Sequence, residues 1–171
     1  NYASTTSAFN TAVGYDAGIA VTTGVQNTLI GGLAGDALTT GSQNVALGYQ
    51  ALTLDDLGSD SVAIGKGTLQ NQNYASATNS YNVAVGRDAG NDVTTGVQNT
   101  LIGGLAGDAL QDADNNVALG YNALTTDTLG SASVAIGVSA LGSQNFTSAT
   151  SSYNTGVGYN AGAAVTTGIQ N

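Results

Sequence analysis

The sequence contains no histidine, cysteine, methionine, tryptophan or proline, and its 11 acidic residues are all aspartate. Each absence removes a kind of chemistry. Zinc sites draw on His or Cys ligands, and Ser-His-Asp or Cys-His nucleophilic devices need an imidazole, so neither can be assembled here. Lys66 and Arg87 are the only cations against a formal net charge of −9. With no basic surface to neutralise phosphates or anionic headgroups, neither nucleic acid nor a membrane is expected as a partner. The lack of cysteine fits a reducing compartment, or an extracellular protein held together by something other than disulfides. No apolar run approaches ~18 residues and no signal-like segment opens the chain. Its 171 residues suffice for one domain with a sizeable core, and a start at Asn1 suggests an internal segment of a longer polypeptide.

What is present is repetition. A glycine closes a short apolar run at Gly14, Gly31, Gly48, Gly65, Gly86, Gly103, Gly120, Gly137 and Gly158, at spacings of 17, 17, 17 and 21 residues, and then the same four again. Four rungs make a 72-residue super-repeat: residues 1–72 align on 73–144 without a gap, with 50 of 72 positions identical, and 145–171 begin a third copy. No linker or domain boundary interrupts the series. A fixed period of this kind is the signature of a solenoid, and it decides architecture before any local reading does.

Runs such as Asn44-Val45-Ala46-Leu47-Gly48 are too short and too β-branched for a helix and read as strands. The residue before the glycine is Val, Ile or Leu in every rung (Val13, Ile30, Leu47, Ile64, Val85, Ile102, Leu119, Ile136, Val157), so that face is expected inside the coil. The opposite face, Ala12, Leu29, Ala46, Ala63, Ala84, Leu101, Ala118, Ala135 and Gly156, carries no polar side chain and is expected to pack against a second surface. A turn follows, with Gly18, Gly35, Gly90, Gly107 and Gly162 alternating in pairs with Leu52, Leu69, Leu124 and Leu141. A second run such as Val21-Thr22-Thr23-Gly24 is read as a second strand leading to the next Asn. Asn10, Asn27, Asn44, Asn82, Asn99, Asn116 and Asn154, with Ser61 and Ser133 in register, predict a hydrogen-bonded ladder at one corner. The fold class is therefore all-β: a parallel β-solenoid, or β-roll, of 17-residue rungs with a 21-residue rung every fourth.

The SVAIG runs Ser61 to Gly65 and Ser133 to Gly137 resemble the strand motif of trimeric autotransporter adhesin heads, and the NVALG, NTLIG and NVAVG rungs look like its variants. The AGxxxTTGxQN stretches also resemble repeats of bacteriophage tail fibres and bacterial surface fibres. The resemblance implies a left-handed parallel β-roll, three chains side by side, with the SVAIG strands facing a shared axis. The rungs are longer than the usual head repeat, and the neck, stalk and membrane anchor of that family have no counterpart in this sequence.

Candidate contact residues are the aromatics. Tyr15, Tyr49 and Tyr121 follow the glycine directly, where a row of rings could stack on sugars or simply pack across rungs. The long rungs hold Tyr74, Tyr81, Phe146 and Tyr153; Tyr2 and Phe9 read as the tail of another such insertion. These rings are expected either to contact a ligand or to lock neighbouring subunits together. Asp112-Ala113-Asp114-Asn115-Asn116 has the look of a calcium loop but occurs once and reads as a solvated acidic turn. Paired Thr (Thr22-Thr23, Thr39-Thr40, Thr94-Thr95, Thr166-Thr167) resemble ice-binding arrays, interrupted at Asp56-Leu57, Gln111-Asp112 and Thr128-Leu129. Asn145-Phe146-Thr147 is the only glycosylation sequon.

Asp55 with Asp127, or Asp16 with Asp88, are four rungs apart, about 19 Å at the strand spacing, too far for a glycosidase pair within one chain. Only the adjacent Asp55-Asp56, or a site shared between subunits, would remain for that chemistry. The sequence thus reads as the structural repeat segment of an extracellular fibre on a cell or virion surface, without catalysis, cofactor or metal. It is expected to self-associate as a homotrimer or, failing that, as an end-to-end filament. The alternative is a glycan- or ice-binding solenoid.

Overall fold

The computed structural model describes residues 7–171. Its elements are all β: β1 Thr11–Val13, β2 Thr28–Ile30, β3 Val45–Leu47, β4 Gly58–Ser59, β5 Val62–Ile64, β6 Thr78–Asn79, β7 Val83–Val85, β8 Thr100–Ile102, β9 Val117–Leu119, β10 Gly130–Ser131, β11 Val134–Ile136, β12 Thr150–Ser151 and β13 Thr155–Val157. The nine three-residue strands form one parallel sheet in the order β1-β2-β3-β5-β7-β8-β9-β11-β13, and β4 pairs with β6 and β10 with β12 as parallel two-residue ribbons. The register advances by one rung at every step, so Ala46 sits beside Leu29 and Ala63. Each rung therefore stacks every residue on its counterpart, and at about 4.8 Å per strand the sheet is roughly 40 Å tall.

Three-residue strands hold because every other segment of the rung also bonds to its neighbour. The glycine amide donates back one rung (Gly48 to the Ile30 carbonyl, 2.8 Å) while the turn donates forward (Gly35 to the Ala51 carbonyl, 2.9 Å). The Thr run expected as a second strand is a chain of bends instead; Thr22 N–H still donates to the Thr39 carbonyl at 2.9 Å, so rung-to-rung pairing survives without extended backbone. The closing glycines have φ between +125° and +147°. A Cβ on any of the first eight would strike the backbone carbonyl of the next glycine, which is why this column admits no other residue.

The two faces of the strands are the reverse of the expectation. Leu29, Ala46, Ala63, Ala84, Leu101, Ala118 and Ala135 are the buried ones, while Val13, Leu47, Ile102, Leu119 and Val157 are among the exposed. The reason is diameter. Between strand and turn, a coil of 17 residues leaves room for one large side chain, and the turn residue six positions on shares that space. Where the strand supplies Leu29 or Leu101, the turn has Gly35 or Gly107, whose Cβ would lie 2.9 or 2.8 Å from a Leu methyl. Where the strand supplies Ala46, Ala63, Ala118 or Ala135, the turn supplies buried Leu52, Leu69, Leu124 or Leu141. Where both are small, as Ala84 with Gly90, the leucines of the neighbouring rungs reach into the space: a Cβ on Gly90 would lie 2.7 Å from Leu101 and 3.0 Å from Leu69. Volume is therefore conserved across adjacent layers.

A third interior column runs Val21, Leu38, Asp55, Gln72, Val93, Leu110, Asp127, Gln144, Val165. Its polar pairs occur once per super-repeat and are fully buried. Gln72 donates to Asp55 Oδ2 at 2.6 Å and to Ser61 Oγ at 2.8 Å, and Gly58 N–H donates to Asp55 Oδ1 at 2.8 Å. The copy repeats this, with Gln144 on Asp127 and Ser133. With no cation beside it, burial pushes the Asp55 carboxyl above the usual carboxylate range. Alternation along the strand gave no hint of these interior aspartates, since they lie in the bends.

Candidate functional site

The corner ladder forms as the spacing predicts. Each Asn Oδ1 accepts from the backbone N–H one rung on, as Asn27 from Asn44 at 3.0 Å, and each Nδ2 donates to a carbonyl 14 residues on, as Asn27 to Gly41 at 3.0 Å. Where serine replaces asparagine, the neighbouring long rung completes the stack: Ser61 Oγ meets Ser80 Oγ at 2.5 Å, and Asn82 Nδ2 donates to Gln72 Oε1 at 2.9 Å. The ladder satisfies one corner of the sheet, and its atoms are spent on the fold.

The outward face of the sheet is different. It is a flat array in two columns, Thr11, Thr28, Val45, Val62, Val83, Thr100, Val117, Val134 and Thr155 beside Val13, Ile30, Leu47, Ile64, Val85, Ile102, Leu119, Ile136 and Val157. The first column carries no polar atom beyond the Thr hydroxyls and the second none at all, and the side chains are half-buried or exposed throughout. Among the described residues nothing else covers it. In projection the array is on the order of 300–400 Å² at ordinary strand dimensions, the size of the largest apolar patch on an ordinary monomer, which is often functional.

Aromatic residues frame this face. Tyr15, Tyr49, Tyr121 and Tyr159 stand beyond its glycine edge, 77%, 51%, 55% and 79% exposed, with the Tyr49 and Tyr121 rings over Gly32 and Gly104. Beyond the opposite edge lie exposed Phe9, Tyr81 and Tyr153, all three at left-handed φ. Tyr74 and Phe146 are placed apart from these: their rings are 5% and 6% exposed, enclosed by their own chain. Tyr74 donates its hydroxyl to the Gly96 carbonyl at 2.9 Å, and burial raises the phenol above its ordinary range. Neither ring is presented to solvent or to a neighbour. Tyr2 lies outside the described residues.

The remaining candidates are absorbed by the fold. Asp114 Oδ1 accepts from Val97 N–H at 2.8 Å and Asp112 Oδ1 from Thr95 Oγ1 at 2.8 Å, and among the described residues no cluster of acidic side chains is arranged to hold a metal ion. Thr22 and Thr39 donate their hydroxyls to carbonyls of the next rung at 3.1 Å. Asn145 is exposed on the long rung. A groove of about 720 Å³ opens beside the first long rung, lined by Leu54, Asn71, Asn73, Asp92, Thr94 and Gln111 among others, with Asn71 donating to Asp92 at 3.0 Å. No sequence pattern flagged it, because its walls come from four successive rungs. No helix is long and apolar enough to cross a membrane among the described residues. Comparison with known protein families, curated proteins and solved structures gives no match.

Proposed function

We propose that this chain is a structural repeat segment of an extracellular fibre, on a cell or virion surface, in which three copies stand side by side with their nine-stranded sheets turned to a common axis. The observation that carries the reading is the uncovered aliphatic face. A monomer would expose two unbroken columns of Val, Ile, Leu and Thr along the whole height of the sheet, and a second and third copy would remove them from water. The resemblance of the SVAIG rungs to adhesin heads supports the same arrangement. The fibre works by length, stiffness and display, and the reading assigns it no catalytic step and no cofactor.

Mass measurement in solution tests this. A trimer is expected, dissociated by Ile64→Asp together with Ile136→Asp; a soluble monomeric parent overturns it, and open-ended polymers would favour the end-to-end filament. A second reading, a glycan-binding solenoid, is favoured by the groove at Leu54, whose amides, carboxylate and hydroxyl beside an aliphatic floor suit a neutral polyhydroxylated ligand. Binding on a glycan array that Asp92→Ala abolishes would establish it.

A further inference from the structure

The residues beyond the two edges of the outward face form matched pairs, rung by rung. One column lies just before the corner ladder and the other just after the closing glycine, six positions apart: Phe9 and Tyr15, Gln43 and Tyr49, Asp60 and Lys66, Tyr81 and Arg87, Asn115 and Tyr121, Ala132 and Val138, Tyr153 and Tyr159, with Gln26 and Gln98 opposite the side-chain-free Gly32 and Gly104 in the other two rungs. Aromatic meets aromatic, acid meets base, ring meets guanidinium and aliphatic meets aliphatic. Between the super-repeats one pair changes at both members, while in another only the arginine is replaced. Asp60 and Lys66 become Ala132 and Val138, both charges lost at once, and Tyr81 and Arg87 become Tyr153 and Tyr159.

Within one chain the members of a pair cannot meet. A ladder residue, a three-residue strand and the glycine separate them, about 20 Å of near-extended backbone, and the outward side chains of the strand stand between. Arg87 pairs locally with Asp88 at 2.9 Å, the one ion pair among the described residues, and Lys66 is exposed.

We infer that adjacent copies in the fibre pack parallel and unstaggered, the glycine edge of one copy against the ladder edge of the next, so that Lys66 of one meets Asp60 of the next in the same rung. This rests on the proposed self-association and specifies its register. Rotation about an axis parallel to the solenoid keeps every rung at its own height and brings opposite edges together, which completes every pair simultaneously. A shift of one rung would still set Asp60 against Arg87, but it places Phe9 against Gly32, Lys66 against Gln43 and Ala132 against Tyr159. The unshifted packing alone completes the ring pairs at Phe9 and Tyr153, the charge pair at Asp60, the ring-guanidinium pair at Tyr81 and the aliphatic pair at Ala132 together, and it sets the amides Gln26, Gln43, Gln98 and Asn115 against Gly or Tyr.

Because the chain has no cysteine, introduced thiols report the register directly. Asp60→Cys with Lys66→Cys in one chain should give, on mild oxidation, a covalent ring whose size on a denaturing gel equals the assembly mass in solution; each single variant should stay monomeric on the gel. Ala132→Cys with Val138→Cys should do the same. The one-rung control, Asp60→Cys with Arg87→Cys, should not cross-link. An assembly of trimer mass in which only the control pair cross-links, or neither does, overturns the register while leaving the assembly standing; a monomer by mass overturns the assembly itself. In a charge test, Lys66→Asp should raise the half-assembly concentration about tenfold at low salt, and adding Asp60→Lys should restore it; failure of the swap to restore also counts against the pairing.

Discussion

Each strand of the main sheet has two faces three residues long, and they obey opposite rules. The inward face carries one small or medium residue whose size is set by a partner across the coil: Leu29 with Gly35, Ala46 with Leu52. The outward face carries two larger residues that no other segment of the described residues covers. In a narrow solenoid bulk therefore points outward, because the space between strand and turn is filled by at most one leucine per layer, and side-chain size ceases to mark the core.

That contrast can be broken at either face. The largest effect is expected outside: Ile64→Asp with Ile136→Asp should abolish assembly while the monomer keeps its β-sheet circular dichroism, since neither residue is needed to fill the coil. Inside, Ala118→Leu should destabilise by about 1–3 kcal/mol through overpacking, and Leu124→Gly should also destabilise, through the emptied volume. Together they recreate the Leu101 and Gly107 arrangement, so a denaturant double-mutant cycle should show clear rescue; additive losses would show that the layers are not volume-coupled.

The polar layer gives the next test. Asp55→Leu alone leaves Gln72 and Gly58 N–H without their carboxylate acceptor and should cost about 1–3 kcal/mol, whereas adding Gln72→Leu extends the aliphatic column of Leu38 and Val93 and should recover only part of that loss, because Gly58 N–H, Ser61 and Asn82 still lose a partner. The smallest effect is on pH. Burial raises the Asp55 carboxyl, with Asp56 adding like charge nearby, and it raises Asp108 as well. The folded state thus binds protons more readily than the unfolded chain. Stability should be greatest below the ordinary carboxylate range and decline as pH rises from about 4 through the raised values, and the Asp55→Leu, Gln72→Leu variant should show a shallower slope in thermal midpoint.

Much of this was legible in the period. Spacing alone predicts the parallel register, the rung count and the Asn ladder, because stacking in register makes each column chemically uniform. Which face is inside was not legible, since both faces are apolar and the deciding quantity, interior volume, depends on Gly35 and Leu52 several residues away. Tyr74 looked like Tyr81 in the sequence, and one ring is buried and the other exposed because an insertion has no period of its own. The groove at Leu54 and Asp92 could not be found by pattern, as it belongs to no single rung.

The corner ladder also bears on how long such a solenoid lasts. Asparagine decays when the amide nitrogen of the following residue attacks its side chain, and it is among the residues that limit protein lifetime. Here the amides after Asn27, Asn44, Asn99 and Asn116 are each committed to a carbonyl of the next rung at 2.8 or 2.9 Å, and those four side chains are fully buried. The hydrogen bonds that align the rungs therefore also withhold the nucleophile of chemical ageing. Durability in this protein is a by-product of register.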